Sequence, residues 1–313
     1  MKKVSFVIPC YRSANTIGVV VDEIRDTMPT LPEYDYEIIL VNDCSPDNTL
    51  EVISALARSD DRIIAVDLAK NFGQHAALMS GISHSTGDFV VCLDDDGQTP
   101  ANEVGKLLAR LEQDDCDVAM ASYEHKQHSA FRNFGTKLNN RMTEIMLGKP
   151  RDLSMTSYFA IKRFVVDEML KYKNCFPYLD GLILRCTRRI RTVPVQHRAR
   201  MEGSSGYTLG KLFALWMDGF TAFSVKPLRL ASIFGALTAF AGFIYTIVII
   251  IKHFIYSDIP TGWSSTMALQ LILGGVILLV LGLVGEYIGR IYMCINAAPQ
   301  YVERSVIRRG DGE

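Results

Sequence analysis

Two stretches toward the C-terminal end, residues 230–251 and 266–288, are apolar and almost free of charge. At about 1.5 Å per residue, each is long enough as a helix to cross the ~30 Å hydrocarbon core of a bilayer. A backbone in hydrocarbon must satisfy its own polar groups, which restricts such runs to helices. We read them as two membrane spans. Core helices of a large soluble protein are the competing reading, and the crowding of both runs at one end argues against it. Lys211, Lys226 and Arg229 precede the first run, Arg290, Arg304, Arg308 and Arg309 follow the second, and Lys252 is the one basic residue of that kind between them. The positive-inside rule then expects both termini in the cytoplasm. Met1-Lys2-Lys3 and the apolar residues 4–8 imitate the start of a secretory signal, but the run is short and ends at Pro9, so no cleaved segment is expected.

A formal net charge of -1 argues neither for nucleic acid nor for an acidic partner, and no basic stripe interleaved with aromatics marks a nucleic-acid binder, so no nucleic acid is expected. The seven cysteines are scattered without Cys-x-x-Cys spacing, which fits packing roles in a reduced compartment. Before residue 226, apolar runs at 4–8, 37–41, 63–67, 89–93 and 117–121 alternate with amphipathic segments near 14–27, 49–59, 74–83 and 102–113. Strands separated by helices at this spacing predict an α/β fold with a mostly parallel sheet and right-handed crossovers.

Such sheets bind ligands beyond the carboxyl ends of their strands, where three polar clusters fall. They are Pro9-Cys10-Tyr11, Asn42-Asp43-Cys44-Ser45-Pro46-Asp47, and Asp94-Asp95-Asp96-Gly97-Gln98. In the last, an apolar run stops at three adjacent carboxylates, which repel one another unless a cation, water or positive neighbour offsets them. A divalent ion holding a diphosphate is the economical explanation; a solvated acidic turn is the other. There is no Gly-x-Gly-x-x-Gly, and residues 206–211 fall one residue short of a P-loop, which leaves carboxylates and a metal to hold a nucleotide.

With these clusters go Asn71-Phe72-Gly73-Gln74-His75, Phe223-Ser224-Val225-Lys226-Pro227-Leu228-Arg229 and Gly285-Glu286-Tyr287-Ile288-Gly289-Arg290-Ile291-Tyr292. In this order the chain resembles, nearly end to end, the polyisoprenyl-phosphate branch of the family 2 glycosyltransferases. The resemblance implies a GT-A nucleotide-diphospho-sugar transferase domain, then an amphipathic interface helix and two transmembrane helices. It further implies that Pro9, Tyr11 and Asp43 line the base and ribose pocket, with Asp94 at the ribose or the metal's water shell and Asp95 a lesser contributor or a strand-end residue facing solvent. Asp96 and Gln98 would supply oxygen ligands to Mg2+ or Mn2+.

Phe131-Arg132-Asn133-Phe134-Gly135-Thr136-Lys137 resembles the family segment whose Arg and hydroxyl contact the acceptor phosphate; on a helix Arg132 and Thr136 share a face. Its other reading is a solvated basic face. Arg200, Gly203, Ser205 and Tyr207 resemble the mobile donor loop, with Gly206 where the family usually has Lys and Arg200 or Arg198 as the substitute positive charge. The catalytic candidates are thus Asp94, Asp96 and Arg132. Ser13 and Tyr123 depart from the family's usual acid and Arg, and Ser157 stands where bactoprenol glucosyltransferases carry an Asp, with Asp152 the nearest acid. A lipid monophosphate with a second pKa of ~6 is already an anionic nucleophile and needs no general base. Asp180, expected at a helix start, reads first as a capping residue and second as a contact to a sugar hydroxyl or amine.

The expected organisation is a catalytic domain over 1–205, an amphipathic juxtamembrane helix over 206–228, a two-helix membrane domain over 229–292 and a cytoplasmic tail over 293–313. Glu286 and Arg290 are spaced to pair, and Gly285-x-x-x-Gly289 permits the close helix contact of the tetramers that the family forms. The reading is a multi-pass enzyme of the bacterial inner membrane that transfers a sugar, by inversion, from a nucleotide sugar (UDP favoured by resemblance) to a polyprenyl phosphate such as undecaprenyl phosphate. The alternatives are a catalytically silent membrane scaffold and a polysaccharide synthase. The latter's Gln-x-x-Arg-Trp is absent, since neither Trp216 nor Trp263 follows an Arg.

Overall fold

The computed structural model describes residues 1–123, 144, 149, 150, 153, 155–196, 226–255 and 262–310. The chain divides into two units, Met1–Leu212 with Ala297–Glu313, and Phe213–Asn296.

The first unit is built on an eight-stranded sheet. In chain order its elements are β1 (Lys2–Cys10), α1 (Ile17–Thr27), β2 (Tyr34–Asn42), α2 (Thr49–Ser59), β3 (Ile63–Leu68), α3 (Gln74–His84), β4 (Phe89–Cys92), α4 (Val104–Leu111) and β5 (Val118–Tyr123). They continue with β6 (Phe159–Lys162), α5 (Arg163–Leu170), α6 (Leu179–Cys186) and β7 (Ile190–Val195). After the second unit's helices, α7 (Lys226–Ile255) and α8 (Trp263–Ile295), comes β8 (Glu303–Ile307). The sheet order is β7-β5-β6-β4-β1-β2-β3-β8. β1 pairs in parallel with β2 and β4, β2 with β3, and β5 with β7, while β6 and β8 run antiparallel to their neighbours. The mostly parallel α/β sheet expected from the sequence is present.

Helices on both faces leave the central strands no solvent side, so β1 is buried from Val4 to Cys10 and β3 throughout, as mostly apolar runs interrupted by Ser5 and Asp67. The helices show the complementary period. α1 buries Ile17, Val20, Val21 and Ile24, and α4 buries Val104, Leu107, Leu108 and Leu111, one face each. α3 instead is buried continuously from Ala76 to Ile82, with Gly81 against the side chains of Val7 and Val41. Small residues let this helix lie close on β1 and β2.

One buried polar network in the sheet centres on Glu37. Glu37 on β2 accepts from Ser5 Oγ at 2.6 Å and from the Thr86 backbone N–H at 2.6 Å, and pairs with Lys3 Nζ at 2.6 Å. Ser5 Oγ in turn accepts from the Gly87 N–H at 2.8 Å, where a Cβ on Gly87 would meet Lys3 O at 2.7 Å.

In the second unit, Ile272–Ile295 of α8 is long and apolar enough to cross a membrane, and a shorter apolar run covers Ala231–Tyr245 of α7. The expected pair forms on α8, with Arg290 Nη2 at 2.8 Å from Glu286 Oε1.

Candidate functional site

β4 lies beside β1 although β2 and β3 precede it in the chain, so the strand order reverses between β1 and β4. In open α/β sheets such a switch opens a crevice beyond the carboxyl ends of the two strands. One lip is the end of β1 with Pro9, Cys10 and Tyr11. The other is Asp94-Asp95-Asp96, reached directly from β4 as Leu93 N–H still donates to Val7 O at 3.3 Å.

The two lips are tied together by Asp95. Its Oδ2 accepts from the Tyr11 backbone N–H at 3.1 Å and from the Ser13 hydroxyl. Asp95 therefore faces inward to the β1 loop rather than solvent, and burial pushes its carboxyl up from the usual carboxylate range. The serine at position 13 now has a reason: an acid there would set two carboxylates against each other, whereas a hydroxyl donates. Tyr11 is 45 % exposed, leaving its ring open to a stacking partner, and the Arg12 guanidinium stands 5.7 Å from its centroid.

Asp94 is held from both sides. Gln74 Nε2, in the first turn of α3, donates to Oδ1 at 3.0 Å, and the Ser157 hydroxyl donates to Oδ2. Burial pushes this carboxyl up to about 6 against the Ser157 bond, and the charges of Asp96 and Asp95 add to the rise. The Tyr123 phenol hydrogen-bonds Thr99 and is driven up to about 12 by burial and then by the charge of Asp94. Gln74, Thr99, Tyr123 and Ser157 were not expected as site residues; the signals available were the Asn71-Phe72-Gly73-Gln74-His75 segment for Gln74 and the departures from family positions at Tyr123 and Ser157.

Asp96 begins a tight turn in which Gln98 N–H donates to its Oδ1 at 3.0 Å, with Gly97 at φ +71°. The turn sets the carboxylate-bearing Asp96 and the amide-bearing Gln98 two residues apart just beyond β4. Among the described residues no three His, Cys, Asp or Glu side chains converge on one metal-holding point.

Asp43, at the end of β2, is 4 % exposed and accepts from Phe72 N–H at 2.7 Å through Oδ1 and from Gly73 N–H at 2.9 Å through Oδ2. Burial raises its pKa against these two bonds. Each oxygen keeps a lone pair for a further donor. Arg12 and Cys44 sit at φ +59° and +49°, left-handed backbone that costs a non-glycine residue about 1 kcal/mol or more. Arg12 N–H donates to Ser45 Oγ at 2.7 Å, which joins the two strained loops.

Beside Gln74, the His75 ring meets Tyr178 edge-on at 5.0 Å, and its buried Nδ1 has no hydrogen-bond partner. Burial lowers this imidazole to about 4, so it is neutral. The Tyr178 hydroxyl donates to Asp180 Oδ2 at 3.3 Å, and burial pushes the Asp180 carboxyl up to about 6, against the Tyr178 bond and the Lys149 charge. Asp180 does stand in the first turn of α6, but Tyr178 occupies the cap position and Asp180 bonds its hydroxyl, not a helix N–H. Arg132, Thr136, Asp152, Arg198, Arg200, Gly203, Ser205, Tyr207 and the amphipathic stretch over 206–224 lie outside the described residues.

A strand-order reversal flanked by carboxylates and an exposed tyrosine is the place where open α/β sheets bind ligands, and the mostly parallel sheet puts the chain in the α/β class. Residues 5–170 match the Glycosyl transferase family 2 profile, and residues 226–291 match the GtrB C-terminal hairpin. The chain belongs to glycosyl transferase family 2. It is 32 % identical over 312 residues, 99 % of this chain and 95 % of the relative, to the undecaprenyl-phosphate 4-deoxy-4-formamido-L-arabinose transferase of Klebsiella pneumoniae subsp. pneumoniae. Its fold resembles the glucosyl-3-phosphoglycerate synthase of M. tuberculosis at a TM-score of 0.51 and 18 % identity, covering 69 % of this chain and 77 % of that one. The same Mycobacterium tuberculosis enzyme, solved with Mn2+ and UDP-glucose, matches at 0.50 and 19 % identity over 70 % and 77 %.

Proposed function

We propose that this glycosyltransferase moves a sugar from a nucleoside diphosphate sugar onto undecaprenyl phosphate or a similar polyprenyl phosphate, with inversion at the anomeric carbon. The observation that carries the reading is similarity at 32 % identity over 99 % of the chain to an enzyme named for undecaprenyl phosphate, so that the catalytic and hairpin parts are both shared.

In this reading the base stacks on Tyr11 beside Pro9, Asp43 accepts from the base, and Asp94 takes the ribose. Asp95 acts on the nucleotide through the Tyr11 loop that it ties down. Asp96 and Gln98 fit a hard divalent cation such as Mg2+ or Mn2+: they offer oxygen donors on one turn, and such cations take the diphosphate as a further ligand. When bound, that cation stabilises charge on the departing diphosphate. His75, Tyr178 and Asp180 contact the sugar's polar substituents. Arg132, Thr136 and Arg200 hold the acceptor phosphate, and Gly203, Ser205 and Tyr207 belong to the loop that covers the donor. The lipid phosphate oxygen attacks directly, so positioning and charge stabilisation carry the rate without a base.

A lipid acceptor requires membrane attachment, which the two-span hairpin and the 206–228 interface helix provide. Chain order supports an even number of crossings. β8 follows α8 yet belongs to the same sheet as β1–β7, so a chain that enters the bilayer after β7 must return to the side it left. The inner-membrane location, cytoplasmic termini and an assembly through the glycine face of α8, as a homo-oligomer such as a tetramer, belong to the same reading.

The test is transfer from a panel of nucleotide sugars to undecaprenyl phosphate by the full-length protein with Mg2+ or Mn2+, beside Asp96→Asn. One donor should give an inverted lipid-linked product, reduced at least about a hundredfold in the variant. No product from any donor with folded protein, or a product that retains configuration, refutes the proposal.

A further inference from the structure

β8 meets β3 across a bulge: Ser305 stands opposite Asp67 and Glu303 opposite Leu68, so Arg304 has no partner in the register. An extra residue of this kind re-aims its side chain. Arg304 Nη1 reaches Asp67 Oδ2 at 3.2 Å, and Nη2 donates to Ala69 O at 3.0 Å. The Asp67 carboxylate is 2 % exposed. Its other oxygen accepts from Asn42 Nδ2 at 2.8 Å, Asn42 being its register partner on β2. Asn42 Oδ1 then accepts from the Ser45 backbone N–H at 3.1 Å and closes the turn that contains Asp43 and the left-handed Cys44. Asp43 and Arg304 therefore grip the two ends of one loop, the first at Phe72 and Gly73, the second at Ala69.

We propose that Arg304 is a positioning residue for nucleotide binding: from the strand after the hairpin it neutralises buried Asp67, which holds Asn42 and so shapes the Asp43 turn. The inference rests on the reading that this turn lines the nucleotide pocket. An ion pair with a half-exposed arginine contributes little by itself. Removing the arginine is different, because it leaves a buried carboxylate with one amide donor and no counter-charge. Asp67 then turns toward water, and Asn42 loses the acceptor that orients it.

The experiment is equilibrium binding of UDP, with GDP and dTDP beside it, to the full-length protein with Mn2+. Arg304→Gln should weaken the nucleotide that wild type binds by about tenfold, raise KM for the donor and leave kcat at saturating donor unchanged. Arg304→Lys should recover part of the loss. Asp67→Asn keeps an acceptor for Asn42 but has no charge to neutralise, so in that background Arg304→Gln should change affinity by less than about twofold. Arg309→Gln, which breaks an exposed pair with Asp61, should leave affinity at the wild-type value. A purely structural anchor for β8 would make Arg304→Gln equally costly with Asp67→Asn present, and that result overturns the proposal, as does unchanged affinity in the single variant. If wild type binds none of the three nucleotides, the pocket reading itself fails first, and the inference with it.

Discussion

Gly81→Ala tests whether the close seat of α3 on the sheet is what aims the site. A Cβ at position 81 would stand 2.4 Å from Val7 Cγ1, 2.9 Å from Val41 Cγ2 and 3.6 Å from Ile39 Cγ2. All three neighbours are β-branched, fully buried and stiff at χ1, so they cannot swing away. The helix must retreat by about 1 Å to restore ordinary contact, and overpacking of this kind costs about 1–3 kcal/mol. Alanine returns up to about 1 kcal/mol through helix propensity. The net is a destabilisation of about 1–2 kcal/mol, or a thermal midpoint lower by roughly 2–8 °C for a domain of this size. The retreat also carries Gln74 away from Asp94 and the Gly73 N–H away from Asp43, so affinity for the nucleotide that wild type binds should fall by several-fold together with stability. Thermal denaturation followed by intrinsic fluorescence, beside calorimetric binding of that nucleotide, reads both. A variant with a raised midpoint would mean that propensity prevails and that α3 does not lie against Val7 at all.

Glu37→Gln should destabilise by about 1–3 kcal/mol at pH 7, because the buried carboxylate gathers charge-assisted bonds from Lys3, Ser5 and Thr86. Burial opposes the charged form there, but those bonds win and hold the Glu37 pKa below the usual glutamate value of 4.5. A folded pKa below the unfolded one means stability that is full above pH 4.5 and lost as pH falls through the folded value, so the wild-type advantage should shrink on acidification. Urea titrations from pH 7 to pH 3.5 that stay parallel for the two proteins would contradict this. Asp180→Asn should leave affinity for the nucleotide that wild type binds within about twofold while lowering kcat/KM for the preferred donor by about tenfold relative to other sugars. Since the Asp180 carboxyl titrates near 6 in the folded protein, wild-type donor discrimination should weaken as pH drops below that value, and the variant should show no such slope.

The strands and helices of the first half were legible because each carries its own signal. α2 spans Thr49–Ser59, as its apolar period indicates, and β1, β2 and β3 follow their mostly apolar runs to within a few residues. The polar clusters were legible for the same reason, since polar-rich stretches such as Asn42 to Asp47 and Asp94-Asp95-Asp96 mark the ends of the apolar strands. β6 and β8 were not legible: four and five residues long, antiparallel, with Glu303, Arg304 and Ser305 in the second, they show no local alternation that stands out from a loop. What local pattern determines, then, is where each element begins, ends and presents its polar tip. What only the tertiary structure decided is which tips meet. Asp95 reaches Tyr11 and Ser13 because β4 pairs with β1, Ser157 reaches Asp94 because β6 pairs with β4, and Arg304 reaches Asp67 because β8 closes the far edge. Strand order is a long-range choice set by packing of the whole sheet, and no window of sequence around Asp94 or Asp67 contains it.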